Sequence, residues 1–181
     1  MSLIKLKNNA LDNLTSFEGS ASLGDMVLVS SATASSSASI EFDLASYKEY
    51  KFFFVNIHPA TDNADFQFNF STDNGSNYNV TKTTTAFEAY QNEAGSSSAL
   101  TYQAGDDIAQ GTGFQDIASD VGNGNDECCS GFLHLFNPSS SFVKHFIATG
   151  NMYNGGNFTV NDYVAGYANT TSALTNIKFQ M

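Results

Sequence analysis

Residues 66–70 read Phe66-Gln67-Phe68-Asn69-Phe70, with a phenylalanine at every second position. Successive side chains of a β-strand point to opposite faces, so this spacing predicts a strand with one face in the core. Tyr50–Asn56 is a more continuous apolar run and predicts a second, strongly buried strand. The two stretches together indicate a fold built on aromatic strands.

The rest of the chain repeats this pattern between turn residues. About nine or ten short strands, with no segment of helical periodicity, predict an all-β fold, an antiparallel β-sandwich of jelly-roll type. At 181 residues the chain suits one domain of ordinary size, which we place at residues 26–181. The predicted core phenylalanines are Phe52, Phe54, Phe66, Phe68, Phe70, Phe132 and Phe136.

Several connections can be predicted as well. Asp73-Asn74-Gly75 predicts a tight hairpin turn, because Asn and Gly accept positive φ, with residues 78–84 returning as a strand. Residues 26–29 form a short apolar run that predicts a buried strand, and residues 92–113 predict a long surface loop. Residues 128–136 and 142–152 are expected to form a hairpin.

Residues 1–25 differ from the remainder. Their apolar side chains follow neither a helical nor a strand period: Leu3, Ile4, Leu6, Leu11, Leu14 and Phe17. The pattern fits an extended arm that orders against a neighbouring molecule, or a loose terminus, and both interpretations stay open. The segment lacks the long apolar stretch and cleavage site of a secretion signal. The final apolar stretch reaches Met181, and we expect the natural chain to continue beyond it.

Charge limits the partners that we expect. The net charge is −11, with only seven Lys and Arg residues, whereas nucleic-acid binding needs clustered cations to neutralise phosphates. No apolar run has membrane-spanning length.

Cys128 and Cys129 are adjacent in the sequence, and a disulfide between neighbouring residues would be strained. We therefore expect both cysteines to be reduced and at least one to be buried.

No pattern points to catalysis, and we expect a non-enzymatic protein without a cofactor. His134 and His145 could approach each other on the predicted hairpin, but a zinc enzyme needs a third ligand. A Gly-x-Ser-x-Gly nucleophile motif is missing. The pair Asp106-Asp107 lies in the predicted loop, where we expect both carboxylates to be solvated. A polysaccharide hydrolase needs two carboxylates that face each other across a cleft, so it is the least favoured function.

One acidic loop is a calcium candidate, although no metal is expected. Its oxygen donors are Asp120, Asn123, Asn125, Asp126 and Glu127, interrupted by flexible glycines. Asp62, Asn63 and Asp65 form a weaker second cluster. The spacing does not match the helix-loop-helix calcium motif, and an acidic turn is the commoner explanation of such a loop.

Several stretches of the sequence resemble a known protein family. They are His58-Pro59-Ala60-Thr61-Asp62-Asn63, residues 121–127, residues 133–140, Leu3-Ile4-Lys5-Leu6, and the stretch from residue 34 to residue 50. They are similar to phage virion proteins of marine bacteria and cyanobacteria that are labelled tail-fibre or structural proteins. The resemblance spans most of the chain and implies a location in the virion, but it implies no chemistry.

The expected function is therefore that of a virion structural protein. We favour a capsid decoration, cement or head-fibre subunit that docks through residues 1–25, contacts other capsid or tail proteins, and assembles as a homo-oligomer, preferably a trimer. The alternative is a tail-attached module that binds host surface glycans through tyrosine rings. The candidate tyrosines are Tyr90, Tyr102, Tyr153, Tyr163 and Tyr167.

Overall fold

The structure is a computed structural model that describes residues 26–44 and 47–181. The chain divides into two units, residues 1–31 and 32–181. Of the first unit, residues 26–31 are described; they lie in no strand, and the side chains of residues 26–29 are exposed. The predicted buried strand at residues 26–29 is therefore wrong, since so short an apolar run is buried only where a neighbouring strand pairs with it. The predicted arm lies outside the described residues.

The second unit is all-β and contains no helix among its described residues. Its ten strands are β1 Ser39–Asp43, β2 Glu49–Ile57, β3 Ala64–Ser71, β4 Lys82–Asn92, β5 Ser98–Tyr102, β6 Gln115–Val121, β7 Cys129–Phe136, β8 Lys144–Asn154, β9 Phe158–Ala168 and β10 Asn176–Gln180. Every strand pairing is antiparallel. The predicted all-β antiparallel class is confirmed.

The ten strands belong to one sheet with two well-paired parts. The main path is β1-β10-β3-β6-β8-β9-β4-β5, and β7 joins β8 to β2. The link between β6 and β8 is a single residue pair, Val121 with Asn154. The sheet therefore consists of a four-strand segment, β1-β10-β3-β6, and a six-strand segment, β2-β7-β8-β9-β4-β5.

Aromatic rings join the two segments across the core. Phe179 on β10 lies 5.0 Å from Phe54 and 5.3 Å from Phe52, both on β2, between ring centroids. Phe146 on β8 lies 5.1 Å from Phe68 on β3 in an edge-to-face arrangement. β2 and β10 share no backbone pairing, and neither do β3 and β8, so these ring contacts come from side chains alone. Ring pairs of this geometry add stabilisation beyond area burial alone.

The core differs in part from the sequence expectation. Phe54, Phe66, Phe68 and Phe70 are buried, and the half-buried Phe52 packs against them. Phe132 and Phe136 are only half-buried and lie outside the core. They alternate with Leu133 and Leu135, which are fully buried. Both faces of β7 are apolar, so period-two spacing could not show which face is inside.

The Asp73-Asn74-Gly75 turn forms, but it does not make a hairpin. Asn74 and Gly75 have φ of 58° and 79°, as predicted for these residues. However, β3 pairs with β10 and β6, whereas β4 pairs with β5 and β9. The loop closes on itself instead, because the Ser71 hydroxyl accepts a hydrogen bond from the Gly75 N–H at 3.0 Å. Hydrogen bonds from Asn77, and then from Ser71, lower the pKa of Asp73 to about 2.

Two further connections were predicted, with different outcomes. β7 and β8 pair from Cys129 with Met152 to Leu135 with Phe146, so the expected hairpin is confirmed. The expected loop at residues 92–113 is wrong in its middle, because β5 lies within it. The sequence of β5 is Ser-Ala-Leu-Thr-Tyr, which offers only a weak apolar alternation.

Candidate interaction surface

The two acidic loops that the sequence singled out lie side by side. The Asp120 N–H donates to the Asp65 carboxylate at 2.9 Å, and the Asn123 N–H donates to Asp62 at 3.3 Å. His58 Nε2 lies 3.0 Å from the carbonyl oxygen of Gly124. The sequence suggested two separate clusters, and the structure brings them into contact.

Three carboxylates of these loops, those of Asp62, Asp65 and Glu127, accept hydrogen bonds from backbone N–H groups. The Glu127 carboxylate accepts a hydrogen bond from the Gly124 N–H, and a Cβ at Gly122 would collide with that carboxylate. Asn125 and Asp126 are exposed. Within residues 26–44 and 47–181, no group of three His, Cys, Asp or Glu side chains is arranged to hold a metal ion.

His134 on β7 and His145 on β8 contact other side chains, and the two cysteines lie at or just before the start of β7. His134 Nε2 lies 3.2 Å from a Glu49 carboxylate oxygen, and its ring lies 4.0 Å from that of Phe136. His145 contacts the ring of Tyr167. Cys128 and Cys129 are free thiols; Cys129 is buried, and burial raises its pKa to about 12. A thiol with so high a pKa is a poor nucleophile.

An acidic recess lies between β4, β6 and β9. Asp106, Asp116, Asp162 and Ser119 are among its lining residues, and its volume of about 10 Å³ suits roughly one water molecule. Burial raises the pKa of Asp162 to about 7 and that of Asp116 to about 6. The Ser119 N–H donates to Asp162 at 3.1 Å and opposes part of this rise. No sequence pattern indicates this recess, and Asp106 was expected in a solvated loop.

Two buried lysines were also missed. Lys82 donates to the Asn69 side-chain oxygen at 2.6 Å and to the Val80 carbonyl at 3.0 Å. Burial lowers the pKa of Lys82 to about 7. Lys144 donates to the carbonyl oxygens of residues 170 and 172. Each ammonium holds backbone carbonyls of a connecting segment, which is a structural role. The only sign of this role in the sequence is that each lysine occupies the first position of a strand in which apolar residues alternate with polar ones.

The exposed side of the four-strand segment is polar, and its groups bind one another. Lys178 forms an ion pair with Glu41 at 2.7 Å, and the Tyr78 hydroxyl donates to the same carboxylate at 2.9 Å. Gln67 donates to Asp116 at 2.6 Å. Hydrogen bonds from Lys178, and then from Tyr78, lower the pKa of Glu41. We call this side the polar face.

The exposed side of the six-strand segment is aromatic, and we call it the aromatic face. Strand register places one row of side chains across all six strands: Phe53, Phe132, Thr149, Tyr163, Phe87 and Tyr102. At about 4.8 Å between strands, the row is about 24 Å wide. Phe53 is 60% exposed and Tyr102 57% exposed, and Val55, Ile147 and Leu100 are exposed beside the row. A contiguous exposed apolar patch is typical of an interaction site.

Contacts within the aromatic face hold its rings in place. Phe87 and Tyr163 stack with 4.8 Å between centroids and 12° between planes. The Lys51 ammonium lies 4.5 Å from the centroid of the Phe132 ring, a cation–π distance. Fixed rings lose little side-chain entropy when a partner binds.

Most of the tyrosines proposed for glycan binding lie on this face. The alternation of β4, β5, β8 and β9 places Tyr102, Tyr153, Tyr163 and Tyr167 on the exposed side. Tyr90 is on the opposite side of β4 and packs edge-on against Phe158 at 5.6 Å. Sequence spacing alone could not separate Tyr90 from the others.

A shallow depression opens at one end of the aromatic face. Its lining residues are Gln91, Asn92, Glu93, Tyr153 and Thr159, and its volume is about 290 Å³. Tyr153 donates a hydrogen bond to Asn157 at 2.8 Å, which fixes the ring at the rim. The depression therefore combines one ring with several amide and hydroxyl groups.

Comparison of the chain with protein-family models, with curated proteins and with solved structures gives no match. The resemblance to phage virion proteins thus remains a prediction from sequence. In the part of the chain that the structure describes, no helix is long and apolar enough to cross a membrane. The functional proposal therefore depends on the geometry of the two faces.

Proposed function

We propose that the protein is a non-enzymatic structural module of a phage particle that contacts its neighbours through the aromatic face. The observation that carries this proposal is the contrast between the two exposed sides. Polar groups on the polar face are satisfied by each other, as in the ion pair of Lys178 with Glu41. The aromatic face leaves rings such as Phe53 open to water, which is unfavourable unless a partner covers them.

The finer fold that we propose is a β-sandwich of jelly-roll type. An eight-stranded jelly roll has one sheet in which the first, last, third and sixth strands are neighbours. If the hairpin β8-β9 is counted as an insertion, the order β1-β10-β3-β6 matches that sheet. The other sheet would be β2-β7-β4-β5, with the hairpin β8-β9 inserted between β7 and β4. Jelly rolls are used by viral capsid proteins and by lectins, which agrees with both functions considered for this chain. This support is an analogy of fold, so the aromatic face carries the functional argument.

A structural role also agrees with the acidic recess and with the charge. The recess of Asp106, Asp116 and Asp162 has room for about one water molecule, which is too small for a sugar substrate. The net charge of −11 disfavours contact with nucleic acid. We therefore propose protein partners in the virion, with capsid decoration, cement or head-fibre assembly through residues 1–25 as the preferred form.

Incorporation into particles tests this proposal. Ile147→Asp places a charge in the middle of the aromatic face, and we expect it to reduce the copies per purified phage particle at least about tenfold, because burying an unpaired charge costs more than about 1.4 kcal/mol. Quantitative mass spectrometry of the particles provides the measurement. Gln180→Asp, on the polar face, is the matched control and should incorporate normally. Equal incorporation of both variants, or the absence of the wild-type chain from particles, would contradict the proposal.

Glycan binding is the second candidate. It is favoured by the four tyrosines on the aromatic face and by the depression beside Tyr153, where ring and amide groups could contact a sugar. A glycan array probed with the multimerised wild-type protein should then show a ligand whose binding Tyr163→Ala and Tyr153→Ala weaken at least about tenfold, while the inward-facing Tyr90→Phe leaves it unchanged. An array without any bound glycan would eliminate this candidate.

A further inference from the structure

The dipeptide Asn-Gly occurs three times in the chain, at residues 74–75, 123–124 and 154–155. In this dipeptide the glycine nitrogen can attack the side-chain amide of the asparagine, because glycine has no Cβ to hinder the approach. The five-membered ring that forms is opened by water to give aspartate or isoaspartate. Which pair reacts depends on what the glycine N–H and the asparagine side chain contact in the fold.

The pair at residues 123–124 is the one whose glycine N–H contacts a carboxylate. The Gly124 N–H donates to the Glu127 carboxylate. This contact requires glycine, because a Cβ at Gly124 would lie 2.7 Å from Glu127 Oε2. Asn123 is exposed, and its side-chain nitrogen lies 3.5 Å from the Ala60 carbonyl oxygen, which is too long to hold the amide firmly. The Asn123 amide can therefore rotate towards the Gly124 nitrogen.

The other two pairs lack this combination. The Gly75 N–H donates to the Ser71 hydroxyl at 3.0 Å, and a neutral hydroxyl takes up a proton far less readily than a carboxylate does. Asn154 Oδ1 accepts hydrogen bonds from the Gly156 N–H at 3.0 Å and from the Phe158 N–H at 3.2 Å. These two bonds hold the Asn154 side chain against rotation.

We propose that Asn123 converts spontaneously to aspartate and isoaspartate, with Glu127 as the general base. Glu127 takes the proton of the Gly124 nitrogen, and this nitrogen attacks Asn123 Cγ. The Cγ–Nδ2 bond then breaks, and Nδ2 leaves as ammonia with the proton that Glu127 returns. Water opens the ring, so the net reaction consumes one water molecule and releases one ammonia.

The position of Glu127 leaves the path of attack open. The N–H bond of Gly124 lies in the plane of its peptide group, and the carboxylate binds the hydrogen along that bond. Attack on Asn123 Cγ uses the nitrogen electron pair, which is perpendicular to the plane. The base and the amide carbon can therefore contact the same nitrogen from different directions.

The product changes the contact between the two acidic loops. The Asn123 N–H donates to Asp62 at 3.3 Å, so a carboxylate at position 123 lies near those of Asp62 and Glu127. Like charges this close repel each other, and isoaspartate also lengthens the backbone by one carbon atom. We expect both products to weaken the contact between residues 60–65 and 120–127. The proposal does not depend on the phage assignment.

Peptide mapping of the full chain after incubation at mildly alkaline pH tests the proposal. Cleavage after Lys51, Lys82, Lys144 and Lys178 places the three pairs on separate peptides, 52–82, 83–144 and 145–178. Mass spectrometry then measures the fraction of acid that forms in each peptide with time. We expect conversion at Asn123 to be at least about tenfold faster than at Asn74 or Asn154, since a positioned base contributes that much or more.

Glu127→Gln removes the base but keeps an oxygen that accepts the Gly124 N–H, and it should slow conversion at Asn123 at least about tenfold. Asp126→Asn is the matched control. It removes the same charge from the same loop at an exposed position, so the rate should stay within about twofold. In guanidinium chloride the three pairs should convert at similar rates, because the fold no longer positions Glu127.

Each result has a defined meaning. Fast conversion at Asn123 that slows in Glu127→Gln and not in Asp126→Asn supports the proposal. Four results overturn it: no conversion at Asn123, equal conversion at Asn74 or Asn154, a rate that Glu127→Gln leaves unchanged or that both variants slow equally, and an advantage of Asn123 that persists in guanidinium chloride. The comparison of the three pairs uses the wild-type chain, so a misfolded variant does not decide the result.

Discussion

Phe179→Ala is expected to lower the free energy of unfolding by about 3–5 kcal/mol, the cost of a large cavity in a packed core. Phe179 is 4% exposed, and its ring contacts Phe52 and Phe54 of the six-strand segment as well as Phe66 and Phe68 of β3. The ring therefore contributes to the packing of both segments. Urea unfolding followed by tyrosine fluorescence measures the change, through the shift in transition midpoint.

The control for this variant is Phe142→Ala. Phe142 is 79% exposed, so its removal should change the free energy of unfolding by less than about 0.5 kcal/mol. Similar small effects for both variants would mean that Phe179 does not pack between the segments. A large effect of Phe142→Ala would mean that its side chain is covered.

Asp162→Asn is expected to stabilise the protein at neutral pH and to have little effect in acid. The pKa of Asp162 is raised to about 7 from 3.8, mainly by burial, and the carboxylates of Glu88, Asp106 and Asp116 add to the rise. Because the folded-state pKa is the higher one, this group's contribution to stability is fully present below pH 3.8 and is lost as pH rises through about 7. Asparagine keeps an oxygen acceptor for the Ser119 N–H and cannot ionise.

The measurement is the melting temperature at two pH values. Each unit of pKa difference corresponds to about 1.4 kcal/mol. Since about 1 kcal/mol changes the melting temperature by about 2–4 °C in a chain of this size, Asp162→Asn should raise it by at least about 5 °C at pH ~7.5 and by less than about 2 °C at pH ~3.5. Lys82 has the opposite pH dependence to Asp162. Burial lowers its pKa in the folded state, so its contribution to the stability of the protein increases as the pH rises.

Asp126→Asn is the control for charge alone. Asp126 is exposed, so its substitution removes one negative charge without changing a buried group. We expect a small effect of equal size at both pH values. Equal pH profiles for the Asp162 and Asp126 variants would contradict the burial of an ionisable group at Asp162.

Local spacing was enough to predict the fold class, because side-chain alternation is a property of each strand alone. Phe66, Phe68 and Phe70 are buried as the period of two required. The prediction failed at β7, where Phe132 and Leu133 are both apolar and only the opposing segment decides which is inside. It also failed at the Asp73-Asn74-Gly75 turn, since the partner of a strand is set by contacts far away in the chain.

The candidate surface was less predictable than the core. The row that begins at Phe53 and ends at Tyr102 takes one residue from each of six strands. These residues are far apart in sequence, and only the register of five strand pairings aligns them. Tyrosines could be named as candidates, but the face of each depends on the phase of its strand, as Tyr90 demonstrates. The recess at Asp162 was missed because burial of a carboxylate by neighbouring strands leaves no signal in sequence.

A density map of the phage particle, with this chain located in it, tests the central claim most directly. We expect the chain to be an integral part of the particle, with Phe53, Tyr163 and Ile147 covered by a neighbouring protein and with the ion pair of Lys178 and Glu41 facing solvent. A chain that is missing from the particle, or one that is present with its aromatic face open to solvent and its polar face covered, would contradict the proposed role.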